Sequence, residues 1–203
     1  MLKFVSKFSI FLILVGCDIK EHTSNTANRI ISVPETELAI ENVFFDKRTS
    51  IWKTKIDSIA ASGIITSYFS NGQVASTIPV FNGKKEGINL EFYNNGDLKF
   101  LQTYADNKLN GEVKRWGLEQ GYQLLAELNY INGKLHGEQK KWFASGEIHK
   151  VMNMKNGKED GLQKAYRKNG VLYANYEAVK GRTFGLRRSN LCFELSDEKF
   201  VSK

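Results

Sequence analysis

Tyr130 to Ile148 reads Y-I-N-G-K-L-H-G-E-Q-K-K-W-F-A-S-G-E-I. Gly133 is followed by Gly137, an aromatic at Trp142 and a third glycine at Gly146. The skeleton returns 24 residues later as Gly157, Gly161, Tyr166 and Gly170, and 26 residues earlier as Asn107, Gly111, Trp116 and Gly121. One further step back gives Gly83, Gly87, Phe92 and Gly96. A damaged copy starts at Gly63, Tyr68 and Gly72, and a truncated one ends at Gly181 and Gly185. Self-similarity at a fixed period is the mark of a repeat architecture, in which each unit buries its surface against its neighbours.

Within one unit the pattern is that of a hairpin. Ile88-Asn89-Leu90-Glu91-Phe92-Tyr93 alternates apolar and polar, Asn94-Asn95-Gly96 is a turn signal, and Leu98 to Tyr104 returns as a second strand. Asn-Gly between alternating runs is the strongest short-range hairpin signal, because both residues tolerate positive φ. Asn82-Gly83-Lys84, Asp106-Asn107-Lys108, Asn132-Gly133-Lys134 and Asn156-Gly157-Lys158 supply a tight turn between units. The fold expected is all-β: an elongated antiparallel sheet of about five stacked hairpins, one continuous meander, at about 24 residues per repeat.

Period-2 counting places residues in columns. One holds Tyr68, Phe92, Trp116, Trp142 and Tyr166; a second holds Val74, Leu98, Leu124, Ile148 and Leu172; a third holds Val80, Tyr104, Tyr130, Met154 and Ala178. These read as ladder and core. Gly87, Gly111, Gly137 and Gly161 recur at one phase, where bare backbone would let an aromatic of a neighbouring unit lie close. Trp116 and Leu124 are separated by two more residues than Phe92 and Leu98, so the tip 117–122 is longer than its siblings. Insertions in arrays gather on one face, which makes Leu118, Glu119 and Gln120 candidate contacts.

The first residues, M-L-K-F-V-S-K-F-S-I-F-L-I-L-V-G-C, carry Lys3 and Lys7 before an apolar run from Phe8 to Val15. That run is too short for a spanning helix and reads as an export leader over 1–16. Leu14-Val15-Gly16-Cys17 resembles the bacterial lipobox. The resemblance implies cleavage before Cys17, diacylglycerol on its sulfur, and a further acyl chain such as palmitate on the new amine. Two or three chains give stable anchoring. The expected location is the bacterial cell envelope, lipid-anchored, with the choice of membrane open. Residues 17–36 read as a polar tether, 37–62 as an N-terminal cap with two short strands around Asp46-Lys47-Arg48, 63–185 as the repeats, and 186–203 as a C-terminal cap.

Lys+Arg exceed Asp+Glu by 29 to 22; without Lys3 and Lys7 the excess is 27 to 22, or +5. The charge forms no basic run, and no nucleic-acid reading module accompanies it, so no nucleic-acid partner is expected. With Cys17 acylated, Cys192 is the one thiol left and no internal disulfide forms. His22, His136 and His149 lack metal-ligand spacing, and no phosphate loop or nucleophile elbow is present. The reading is non-enzymatic: no catalytic residue, no metal, no cofactor. His136 occupies a slot held elsewhere by Glu86, Asn110 and Asp160, an exposed polar position.

The units F-N-G-K-K-E-G-I-N-L-E-F-Y-N-N-G-D-L, Y-I-N-G-K-L-H-G-E-Q-K-K-W-F-A-S-G-E-I and M-K-N-G-K-E-D-G-L-Q-K-A-Y-R-K-N-G-V-L resemble MORN-variant repeats, which in bacteria fill proteins of the YwqK-type antitoxin family. The resemblance spans about 63–185. It implies a hairpin array, no catalytic residues, and a protein-interaction role; the antitoxin label implies binding a toxin, which for an exported chain becomes immunity at the envelope. The partner expected is a protein, a toxin or envelope component, met by alternate exposed positions Glu91, Arg115, Lys141 and Arg167 plus the 117–122 tip. That stripe is mostly basic and favours an acidic partner. The alternative is glycan or lipid binding by exposed aromatics such as Tyr93 and Phe143.

Overall fold

The structure, a computed structural model, describes residues 32–119 and 121–184. The leader with Cys17, most of the tether, Gln120, and the C-terminal cap with Cys192 lie outside the described residues.

Five hairpins follow one another: β4 (Gly63–Tyr68) with β5 (Val74–Phe81), β7 (Gly87–Phe92) with β8 (Leu98–Ala105), β9 (Lys108–Gly117) with β10 (Gln123–Ile131), β12 (Gly137–Trp142) with β13 (Ile148–Lys155), and β14 (Lys158–Tyr166) with β15 (Leu172–Val179). β6 (Lys84–Lys85) and β11 (Lys134–Leu135) are short leading pieces of the second and fourth units, and β16 (Arg182–Phe184) pairs with β15. All of these pair antiparallel in a single 14-stranded sheet, as the period predicts. The exception is β1 (Glu37–Ala39), which runs parallel to β4 at the sheet's edge and which the sequence pattern did not reveal. β2 (Val43–Asp46) and β3 (Ile51–Thr54) form the expected hairpin around Asp46-Lys47-Arg48.

The first two columns face each other in register: Tyr68 opposite Val74, Phe92 opposite Leu98, Trp116 opposite Leu124, Trp142 opposite Ile148, Tyr166 opposite Leu172. Each such aromatic–aliphatic pair contributes about 0.2–1 kcal/mol. The glycines oppose the third column, Gly87 to Tyr104, Gly111 to Tyr130, Gly137 to Met154 and Gly161 to Ala178.

The tight turns at the tips and between units are of two different types. Positive φ at both residues occurs between units, at Asn82-Gly83, Asp106-Asn107, Asn132-Gly133, Asn156-Gly157 and Lys180-Gly181. Among the described residues of the tips only the glycine is left-handed: Gly96 has φ +88° while Asn95 is not left-handed, and the Gly96 N–H donates to the Tyr93 carbonyl. One residue is then surplus on the returning strand, at Ala75, Lys99, Leu125, His149 and Tyr173. This is the longer loop with a left-handed glycine and a bulge, the second commonest hairpin solution.

The inter-unit turns stack. Gly83 N donates to Ala61 O, Asn107 N to Lys85 O, Gly133 N to Leu109 O, Gly157 N to Leu135 O and Gly181 N to Glu159 O, at 2.6–3.0 Å. The N-terminal hairpin joins this ladder, since Trp52 N donates to Gly83 O at 2.8 Å and Ala61 N to Trp52 O at 3.0 Å. Its apolar side closes over Val43, Ala61, Ile65 and Val80, with Leu38, Ile40, Trp52 and Ile78 packed around them. Asn107 departs from the glycine of its siblings for a reason now visible: its Nδ2 donates to Ser50 O at 2.8 Å and its Oδ1 accepts from Lys85 N at 2.7 Å. Asn107→Gly would suit the positive φ yet remove both bonds; we expect a net loss of about 1 kcal/mol in urea unfolding. An unchanged midpoint would show that the cap is held without Asn107.

Candidate functional site

The recurrent glycines explain themselves through a second bulge. Between Gln102/Val113 and Tyr104/Leu109, Asn110-Gly111-Glu112 faces the single residue Thr103. Asp160-Gly161-Leu162 faces Asn153 in the same way. In the two units led by β6 and β11, Glu86 to Asn89 faces Ile78-Pro79, and His136 to Gln139 faces Leu128-Asn129. The glycines hold φ from +78° to +115°. A Cβ at Gly137 would meet nothing within 4 Å, and at Gly111 and Gly161 it would meet Thr103 and Asn153. No aromatic of a neighbouring unit lies over them; backbone conformation, not close approach of a ring, selects glycine here.

A bulge leaves backbone groups without ladder partners, and after Gly137 and Gly161 the side chain two residues on fills the gap. Gln139 is 0% exposed; its Oε1 accepts from Asn129 N at 2.8 Å and its Nε2 lies 3.0–3.2 Å from the carbonyls of Asn129, His136 and Gly137. Gln163 Nε2 donates to Asn153 O at 2.7 Å and Gly161 O at 3.2 Å. On the other side of the sheet Thr103, Asn129 and Asn153 donate to Glu112 O, Glu138 O and Leu162 O. Pro79 fits within a paired strand because its missing N–H falls at the bulge, and Asn89 there turns to Gln102 at 3.2 Å instead. His136 is half-buried beside this network, not the exposed residue expected of its slot.

Register assigns the faces. From the second hairpin onward every buried strand side chain (Asn89, Val113, Gln139, Gln163, Ala165, Ala178) shares the face that the N-terminal hairpin covers over Ile65 and Val80; we call it the inner face. Phe92, Trp116, Trp142 and Tyr166 belong to the outer face. One row crosses the inner face strand by strand: Ser76, Glu91, Phe100, Arg115, Ala126, Lys141, Lys150, Ala165, Ala174. Three of the predicted contact residues, Glu91, Arg115 and Lys141, therefore share a row. Arg167 does not; it lies beyond Tyr166 at a hairpin tip, its N–H bonded to Val171 O, because the equivalent of Lys141 in that unit is Ala165.

Charge is distributed differently on the two faces. On the outer face Lys114 pairs with Glu112 and Lys140 with Glu138, both at 2.7 Å, and Glu127 stands between the two lysines in register. On the inner face Glu91 is neutralised by Lys99 at 2.6 Å. Arg115, Lys141 and Lys150 have no carboxylate within 4.0 Å among the described residues, and Lys141 and Lys150 are direct cross-strand partners. Like charges so placed destabilise a sheet. His149 beside them has its pKa held below the ordinary imidazole value by burial and then by Lys150 and Lys141. Replacing both lysines by methionine should raise that pKa part of the way back, burial remaining, as read by NMR titration of the ring; an unmoved pKa would place the lysines too far away to act.

Next to Lys150 the inner face sinks into a depression of about 230 Å³ lined by Met152, Glu159, Gln163, Tyr173, Ala174 and Tyr176. The predicted contact tip is partly tied down: Tyr122 stacks on Trp116 at 6.2 Å and donates its hydroxyl to Leu98 O at 2.9 Å, leaving Leu118 and Glu119 exposed. The aromatics of the glycan or lipid alternative are half-buried. Tyr93 donates to Trp116 O at 2.8 Å, and Phe143 stacks on His149 at 4.3 Å. Among the described residues no group of three or more His, Cys, Asp or Glu is placed to hold a metal ion, and no helix is long and apolar enough to cross a membrane.

The architecture thus defines the class, a long array of β-hairpin repeats. Residues 85–106 and 135–156 match the family described as MORN repeat variant, covering the second and fourth units. No curated protein matches the chain.

Proposed function

We propose that the chain is a non-enzymatic protein-interaction module held at the bacterial envelope by lipids on Cys17. MORN-variant repeats at two places are consistent with an interaction role. The observation that carries the reading is the contrast between the faces. On the outer face Lys114 and Lys140 are paired with carboxylates, whereas the inner one presents Arg115, Lys141 and Lys150 with no carboxylate within 4.0 Å among the described residues. Like charges kept opposite each other cost stability, and a partner's carboxylates would offset that cost. Anchoring rests on Leu14-Val15-Gly16-Cys17 and the apolar run before it. An antitoxin- or immunity-like role, neutralising a toxin at the envelope, is the form this takes if the family resemblance extends to activity.

The test is a crosslinking pull-down from native membranes with wild type and Cys17→Ala. One protein recovered only with the lipidated form supports an anchored recognition module. Recovery of no protein with either form counts against the interaction reading and returns attention to glycan or lipid ligands.

A further inference from the structure

Resting on that reading, we propose that the inner face between β9 and β15 takes an extended acidic segment of the partner protein. The segment lies across the strands, its carboxylates over Arg115, Lys141 and Lys150 and one apolar side chain in the depression beside Met152 and Tyr173.

Spacing fixes the form of the ligand. Neighbouring strands are about 4.8 Å apart, so Lys150 to Arg115, three strands away across Lys141 and Ala126, is about 14 Å. An extended chain advances about 3.4 Å per residue and presents alternate side chains to one side. Acidic residues at i, i+2 and i+4 therefore cover the same distance. The row continues from Lys150 to Ala165 and Ala174, small side chains that leave room for the depression about one to two strands further on. An apolar residue two positions beyond the last carboxylate reaches it, giving the pattern apolar–x–acidic–x–acidic–x–acidic.

Chemistry separates this ligand from other anions. Glu91, paired with Lys99, stands in the row two strands beyond Arg115. A continuous polyphosphate laid along the row would meet that carboxylate, and its end in the depression would meet Glu159, which accepts from the Tyr176 hydroxyl at 2.9 Å. A short acidic peptide ends before Glu91 and places an apolar side chain, not a charge, beside Glu159. Burial of an apolar side chain against Met152, Tyr173 and Ala174 adds a contribution that a bare anion lacks.

The probe is a fluorescein-labelled peptide Ser-Phe-Ser-Glu-Ser-Glu-Ser-Glu-Ser, titrated by anisotropy against the whole chain. Expected is saturable binding that falls about tenfold when Arg115, Lys141 and Lys150 are changed to glutamate, and by a similar factor when glutamine replaces the peptide's glutamates. Phe→Ser in the peptide should weaken binding severalfold, and Lys114→Glu with Lys140→Glu on the outer face should leave it intact. Circular dichroism melts confirm that the variants fold. Absence of saturable binding overturns the proposal, as does equal loss from the outer-face changes. A single-stranded oligonucleotide binding as tightly as the peptide also overturns it. A membrane partner captured equally by wild type and by the Arg115→Glu, Lys141→Glu, Lys150→Glu variant leaves the interaction module standing and overturns this site.

Discussion

Gly83→Ala is expected to cost about 3 kcal/mol in urea unfolding, enough to release the N-terminal hairpin from the array. Two effects act at one residue. Gly83 sits at φ +76° in the tight turn after Asn82, a conformation that costs any residue with a Cβ about 1 kcal/mol. The added Cβ would stand 2.6 Å from Trp52 O and 2.8 Å from Ile51 Cβ. Both atoms belong to β3, and Trp52 N is bonded to Gly83 O, so relief requires the hairpin to move off the turn. The matched control is Gly133→Ala. It has the same turn position and φ +77°, but its Cβ would lie 4.0 Å from Lys108 Cβ, so only the conformational cost of about 1 kcal/mol applies. Gly83→Asn separates the causes, since asparagine tolerates the left-handed region but still carries the Cβ. Equal losses at Gly83 and Gly133 would show that the hairpin does not press on the turn.

Gln139→Leu comes next, at about 2–3 kcal/mol. Leucine nearly conserves volume, so the loss isolates hydrogen bonding: Asn129 N and the carbonyls of Asn129, His136 and Gly137 lose a buried partner together. Gln163→Leu should cost less, because only Nε2 of Gln163 is engaged and its Oε1 has no partner. Native-state hydrogen exchange gives a second readout, with the Asn129 amide losing protection selectively in Gln139→Leu. A Gln139→Leu protein as stable as wild type, with Asn129 still protected, would mean that the bulge is satisfied without the glutamine.

Much of the fold was legible because repetition averages out local ambiguity. The glycine–aromatic–glycine period gave the number of hairpins, and Tyr68, Phe92, Trp116, Trp142 and Tyr166 did prove to oppose the aliphatic column. The glutamines were missed because Ile65, Asn89, Val113, Gln139 and Gln163 share one position without sharing a chemical type. A column that changes from apolar to amide gives no periodic signal, and only the bulge beneath it shows what the amide does.

Sequence alone determined the period, the hairpin meander, the opposed columns and the glycine phase, since all of these are local in the chain. Tertiary structure decided which residues share a face. Strict alternation from Ile148 would put Lys150 on the same side as Ile148. The surplus residue His149 shifts the count by one, so Ile148 stays with Trp142 on the outer face while Lys150 turns inward opposite Lys141. The same shift carries Phe100, Ala126 and Ala174 onto the inner row. A side-chain period of two makes every one-residue bulge an inversion, and the inversion is visible only once the partner strand is in place.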